Sequence, residues 1–312
     1  MNIVDMTTLY VAYKQSIGQS FITDAAILKA FCRHAGNIPV ASISREQVQC
    51  FLSGKHPVSS FWQRKHTTLT GLFRFAMTRG HLNISPLSIQ EPQVPPPLAP
   101  YIYSRSELKA ILDATPKSCS VYVKIDPIVI KTLILILYGA CLRIGEALCL
   151  TVGDVDMRQN TLLIQKTKFY KSRLVPFGKD LKKVLVDYIE QKDTDSCCAP
   201  NEALFCFQDG RPLSQSAARN AFHRIRDIAG IKREDGGRYQ PRLHDLRHAG
   251  AVHRVIAWYR AGADLQYLLP KLATYLGHVN LAASQRYLTL TPELLQLASQ
   301  RFEGFVKEST HD

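Results

Sequence analysis

The sequence predicts a mainly α-helical protein of two domains that carries one small antiparallel β-sheet. Three observations predict it. Helix start and stop signals recur along most of the 312 residues. Two β-like runs, 161–165 and 173–177, are joined by a short basic stretch, and five prolines fall within residues 91–100. A chain of this length is comfortable as two domains. Its 46% apolar and 21% charged content are ordinary globular values, so wholesale disorder is not expected.

Proline at the density of 91–100 blocks helix and ladder hydrogen bonds and favours an extended, semi-rigid chain. Residues 91–101 therefore read as a linker between a helical domain over 1–90 and a second domain over 102–312. In the first, Ser44-Arg45-Glu46-Gln47 is a capping box that opens a short helix ending near Gly54. A longer helix over about 60–78 stops at Gly80. It interleaves Arg64, Lys65, His66, Arg74 and Arg79 with Phe61, Trp62, Leu69, Leu72, Phe73 and Phe75. Such a helix suits DNA, with Arg64, Lys65 and Arg74 as candidate contacts, and a solvated helix face explains the pattern equally well. A second capping box, Ser104-Arg105-Ser106-Glu107, opens apolar helices that reach Leu150. The two strands follow, linked by Lys166-Thr167-Lys168-Phe169-Tyr170-Lys171-Ser172. Helical patterning then resumes, with one more short strand expected over 204–207. Thr291 and Pro292 read as the N-cap and first turn of a last amphipathic helix carrying Leu294, Leu295 and Leu297.

Charge narrows the function. Lys and Arg number 39 against 26 Asp and Glu, for a net charge of +13, and both halves of the chain are basic. A surplus of this kind points to a polyanion such as nucleic acid or an acidic membrane surface. The eight cysteines show no CxxC pair or metal-ligand spacing and read as reduced thiols. The first residues lack the pattern of a signal peptide, and the longest apolar stretch, 132–142, is too short for a bilayer. The expectation is a cytoplasmic protein with no membrane partner.

The polar residues of the second domain are ordinary when taken singly. Arg143 ends a very apolar helix and could be a helix-terminus charge. His244 and Arg247 stand three apart and could be a structural pair on one helix face. His278 follows a helix-capping Gly277, and Tyr287 could be a half-buried tyrosine. The set in chain order is less ordinary: an arginine, lysines in a hairpin, His-x-x-Arg, Leu-Gly-His, and a tyrosine nine residues later.

In every one of those parts the sequence resembles the tyrosine recombinase (phage integrase) family, and specifically its transposon and mobile-element branch. That family typically shows a Gly-Leu-Arg-x-x-Glu box, where this chain reads Ala140-Cys141-Leu142-Arg143-Ile144-Gly145-Glu146. The N-terminal part is similar to the family's helical core-binding domain. The branch is suggested by the 31 residues from Arg247 to His278, longer than in the chromosome-dimer-resolving members.

The resemblance implies a site-specific recombinase that cleaves and religates DNA through a 3′-phosphotyrosyl intermediate. Tyr287 is the nucleophile. Its phenol, with an ordinary pKa of about 10, needs positive charge nearby to ionise. Arg143 and Arg247 clamp the non-bridging oxygens with forked hydrogen bonds, each such donor accounting for on the order of 10²–10³ in rate. His244 takes part in proton transfer, His278 donates to the phosphate, and His248 supports the site. The acid for the leaving 5′ oxygen is a hairpin lysine. Counting back from Arg173-Leu174-Val175-Pro176 favours Lys168, with Lys166 and Lys171 as alternatives or as phosphate contacts. The resemblance implies no metal, no ATP and no other cofactor. It implies double-stranded DNA as partner and a homotetramer on synapsed sites, with the C-terminal helix exchanged between protomers or folded back on its own domain. A type IB topoisomerase and a catalytically silent DNA-binding accessory protein are the competing readings.

Overall fold

The structure, a computed structural model, describes residues 1–53, 58–87, 99–118, 125–165, 172–195, 199–236, 239–277, 293–296, 299–300 and 303. The described residues divide into two compact units, the first ending with Leu87 and the second beginning with Ala99.

The first unit is all helical: α1 (Ile3–Ser16), α2 (Ile22–Ala35), α3 (Arg45–Ser53) and α4 (Ser60–Thr78). The predicted capping box is formed, with Gln47 N donating to Ser44 Oγ (3.2 Å) and Ser44 N to Gln47 Oε1 (3.0 Å). This satisfies two of the donors that a helix start leaves over. The apolar stripe of α4 lies in the core as its spacing predicts: Leu69, Leu72, Phe73 and Ala76 meet Ile3, Met6 and Tyr10 of α1 and Leu28 and Phe31 of α2.

The second unit runs α5 (Arg105–Ala114), α6 (Pro127–Gly139), α7 (Ile144–Leu148), β1 (Val155–Asp156), β2 (Thr161–Ile164), β3 (Arg173–Pro176), α8 (Lys179–Asp195), α9 (Gln215–Ile228), α10 (Asp245–Arg260) and α11 (Leu265–Leu276). The sheet is antiparallel in the order β1-β2-β3, with Leu162 opposite Val175. Leu162, Ile164 and Val175 face the core while Leu163 and Leu174 face outward, so the two predicted strands obey the period-2 rule. The short β1 was not foreseen, because two residues carry no periodic signal. The strand expected over 204–207 is absent. Leu204 N bonds Leu150 O, Leu213 N bonds Phe205 O and Phe207 N bonds Arg211 O, so the segment serves three separate partners. Leu204 and Phe205 are both fully buried, which breaks the alternation a half-buried strand needs.

The core of this unit is α6, whose Ile130, Leu133, Ile134, Ile136 and Leu137 are buried. The helix packs against α8 on one side and α10 on another. Closeness to α10 depends on Gly250, where a Cβ would collide with the carbonyl oxygen of Tyr138 and lie 2.8 Å from Cys141 Sγ. A helical turn at 293–296 returns to α10 and α11, burying Leu294 and pairing Glu293 with Arg260 at 2.6 Å. No described helix is long and apolar enough to cross a membrane. Cys32, Cys50, Cys141, Cys149 and Cys206 are free thiols.

Gly250→Ala is expected to wedge α10 from α6 and cost about 1–3 kcal/mol. Urea unfolding would show this as a lower midpoint at unchanged slope.

Candidate active site

The site is built where α6 ends. Ala140 caps the helix, and Cys141 turns the chain with φ +51°, in the left-handed region that favours glycine. Cys141 stands where the family pattern has glycine, and an L side chain there costs about 1–2 kcal/mol. The residue is buried, and its thiol donates to Tyr138 O at 3.3 Å. The turn brings Arg143 to the start of α7 and frees Cys141 O to accept from a neighbouring helix.

Glu146, one turn into α7, gathers the charges. Its carboxylate accepts from Arg143 N (3.0 Å) and Arg143 Nη1 (2.7 Å). From β3 it accepts both terminal nitrogens of Arg173, at 3.0 and 2.9 Å. Arg247 Nη1, from α10, lies 3.9 Å away. Burial alone would raise the pKa of this carboxyl. The hydrogen bonds from Arg173 and Arg143 and the Arg173 cation outweigh that and hold it at about 2.

The same three arginines converge on the end of α11. Arg173 Nε donates to Tyr275 O (3.2 Å), Arg247 Nη2 to Leu276 O (2.6 Å) and Arg143 Nη2 to Gly277 O (2.8 Å). Three consecutive carbonyls that a helix end leaves without intrahelical partners thus each meet a guanidinium. Arg247 also donates to Cys141 O (2.6 Å) and is 2% exposed, whereas the Arg143 side chain is 40% exposed. Gly277 closes the helix with φ +64°, and a Cβ there would lie 2.9 Å from Arg173 Cζ.

His244 caps α10 just before the buried Asp245. Arg242 braces this corner: its backbone N–H and its Nη2 each donate to Asp245 at 2.9 Å, and its carbonyl accepts from Tyr103 Oη at 3.1 Å. The His244 ring sits edge-on to that of His248, with centroids 5.0 Å apart. Desolvation pulls the His244 pKa below the ordinary imidazole value, and the Arg247 cation adds to the effect. The imidazole is therefore neutral near pH 7, as a proton acceptor must be. Tyr275, a tyrosine beside these arginines, is unsuited to ionise. Burial raises its pKa, and its hydroxyl donates to Pro176 O at 3.2 Å.

Among the sequence-predicted residues, Arg143, His244 and Arg247 come together here. Lys166, Lys168, Lys171, His278 and Tyr287 lie outside the described residues. In the first unit Arg64 forks onto Asp24 (2.9 Å), Lys65 donates to Phe51 O (3.0 Å), and Arg74 is exposed. Sequence reasoning gave no role to Arg173 or to the Arg242–Asp245 brace. The i,i+3 charge spacing signalled the brace, and nothing local signalled Arg173.

Residues 103–293 match the model of the phage integrase family. The chain is 31% identical over 298 residues to the Sinorhizobium fredii protein named "Putative integrase/recombinase y4rE", covering 94% of this chain and 93% of that one. It is 28% identical over 226 residues to the tyrosine recombinase XerD of Corynebacterium glutamicum, covering 72% and 69% of the two chains. In fold it matches the Tn1549 transposon integrase, solved in complex with transposon right end DNA, with a TM-score of 0.70 at 14% identity. That match covers 98% of this chain and all of the other. The chain belongs to the phage integrase family of tyrosine-type site-specific recombinases.

Glu146→Gln tests the electrostatic centre. The folded protein holds Glu146 at about 2 against an ordinary 4.5. Its ionised form therefore stabilises fully above the ordinary value, and the contribution is lost as pH falls from 4.5 toward 2. The stability gap between wild type and variant in urea unfolding should be widest at neutral pH and shrink across that acid window. A gap independent of pH would contradict the assignment.

Proposed function

We propose that this recombinase cleaves and rejoins double-stranded DNA through a 3′-phosphotyrosyl bond to Tyr287. The observation that carries the proposal is the convergence of Arg143 and Arg247 on the end of α11. From there the chain runs directly into His278 and, nine residues later, Tyr287. Both guanidiniums are oriented by fixed carbonyl partners, and Arg143 also by Glu146. Arg143, whose side chain is 40% exposed, carries more N–H donors than the bonds to those partners use, so it can take a phosphate without rebuilding the site.

Tyr287 Oη attacks phosphorus, its proton passes to the neutral His244, and the bond to the 5′ oxygen breaks. Lys168 donates the proton that makes this oxygen a free 5′-hydroxyl, with Lys166 and Lys171 as the other hairpin candidates. Attack by a 5′-hydroxyl on the phosphotyrosine reverses the step. The phosphoester energy is conserved in the covalent bond, so neither ATP nor a metal ion enters the balance. His278 donates to the phosphate.

Residues 1–90 form the core-binding domain, 91–101 the linker and 102–312 the catalytic domain. Of the candidate DNA contacts in the first unit, Arg64 and Lys65 already hold protein partners, while Arg74 is exposed. The assembly is a homotetramer on synapsed sites, acting in the cytoplasm. The long α10–α11 segment and the likeness to a transposon integrase support a role on a mobile element.

The wild-type protein, incubated with a pool of nicked suicide duplexes of randomised sequence, should form an SDS-resistant adduct, and the recovered DNA should share a sequence. Tyr287→Phe should form none. An adduct with Tyr287→Phe refutes the nucleophile, and indiscriminate relaxation of plasmid DNA indicates a topoisomerase. Wild-type cleavage should fall with acid below the pKa of His244, and His244→Gln should flatten that limb. A 5′-phosphorothiolate leaving group, which needs no acid, should rescue Lys168→Ala; failure to rescue moves the role to another lysine.

A further inference from the structure

Arg173 was a strand landmark in the sequence, yet its side chain ties Glu146, Tyr275 and Gly277 together. It belongs to β3, beginning two residues after Lys171. Its terminal nitrogens occupy both oxygens of Glu146, its Nε holds Tyr275 O, and its guanidinium lies against the Cα of Gly277. The side chain is 15% exposed. Hairpin, Glu146 and the turn before His278 thus meet on one planar group.

On the reading of this site as a recombinase's phosphate clamp, we infer that Arg173 is a positioning residue. It acts through Glu146 on Arg143, and through Tyr275 O and Gly277 on the turn leading to His278. The physical basis is the fork. With Arg173 on both oxygens, the Glu146 carboxylate cannot rotate, so Arg143 is held in one direction by an anion that is itself fixed. The same group ties the strand adjoining the candidate acid lysines to the arginine clamp. A lysine could supply the charge but has no planar fork, and it could not hold two carboxylate oxygens and a carbonyl together. Gly277 belongs to the same device, since any side chain there would push the guanidinium off its partners.

The test uses the full chain carrying Arg173→Gln, Arg173→Lys, Glu146→Gln and the double variant Arg173→Gln/Glu146→Gln. Among the described residues, the charged groups facing Glu146 are Arg143 beside its own helix, Arg173 from β3 and Arg247 from α10. Removing Arg173 should therefore let Glu146 protonate at higher pH. On a suicide duplex that wild type cleaves, Arg173→Gln should slow adduct formation on the order of 10²-fold near neutral pH. Its ratio to wild type should fall further as pH is lowered to 5. Arg173→Lys should restore the pH dependence and only part of the rate. The double variant should lose less than the product of the two single losses, because the two residues share the contact through which Arg173 acts on Arg143.

A variant-to-wild-type ratio that is the same at every pH, equal rates for Lys and Gln, or additive losses would overturn the inference. A second arm needs no activity: the acid limb of urea-monitored stability should move to higher pH in Arg173→Gln and less in Arg173→Lys, and an unmoved limb also refutes it. If wild type forms no adduct on any duplex, the recombination chemistry at Tyr287 fails, while the stability arm still decides whether Arg173 holds Glu146.

Discussion

Glu146 sits where three guanidiniums would otherwise face one another with nothing between them. The forked Arg173 and the backbone and side-chain N–H groups of Arg143 saturate its carboxylate and Arg247 approaches within 3.9 Å, so one anion organises a cluster that like-charge repulsion would disperse. Burying a charge is costly unless it is paired and hydrogen-bonded, and here the pairing overcomes the desolvation that would neutralise the carboxyl. The site's positive potential can therefore be high without the cluster flying apart.

The second organising element is the end of α11. Its last carbonyls have lost their helical partners, and three arginines from α7, β3 and α10 replace them. The exchange is mutual. The helix end gains its hydrogen bonds, and each arginine gains a fixed direction. A guanidinium held in this way would need little reorganisation if charge developed on a bound phosphate, which is where preorganised sites gain most of their rate.

These contacts rest on tight packing below them. Gly250 lets α10 approach the end of α6, and Cys141 accepts a left-handed backbone so that its carbonyl can meet Arg247. Cysteine in place of the family's glycine fills the space over Gly250 with a small apolar side chain. The backbone strain at position 141 is stored beside the site, where a rigid core can support it.

Much of this was legible in the residues. The capping boxes, the linker, the β2–β3 hairpin and the buried stripe of α4 follow from local propensity and period, and the structure carries the boxes, strands and stripe where expected. Arg143, His244 and Arg247 were legible because their spacing within short motifs belongs to a family pattern. The segment 204–207 misled, since a short apolar run cannot announce whether its hydrogen bonds go to one neighbour or to three.

Residue type, order and spacing by themselves determined the fold class and the family, because both depend on patterns carried within short stretches of chain. Tertiary structure alone decided what those residues touch. That Arg173 holds Glu146, and that three arginines from separate elements meet three successive carbonyls, depends on segments up to 134 residues apart in sequence. Hydrogen bonds of that kind leave no local signature, since each partner by itself is an ordinary arginine or backbone oxygen.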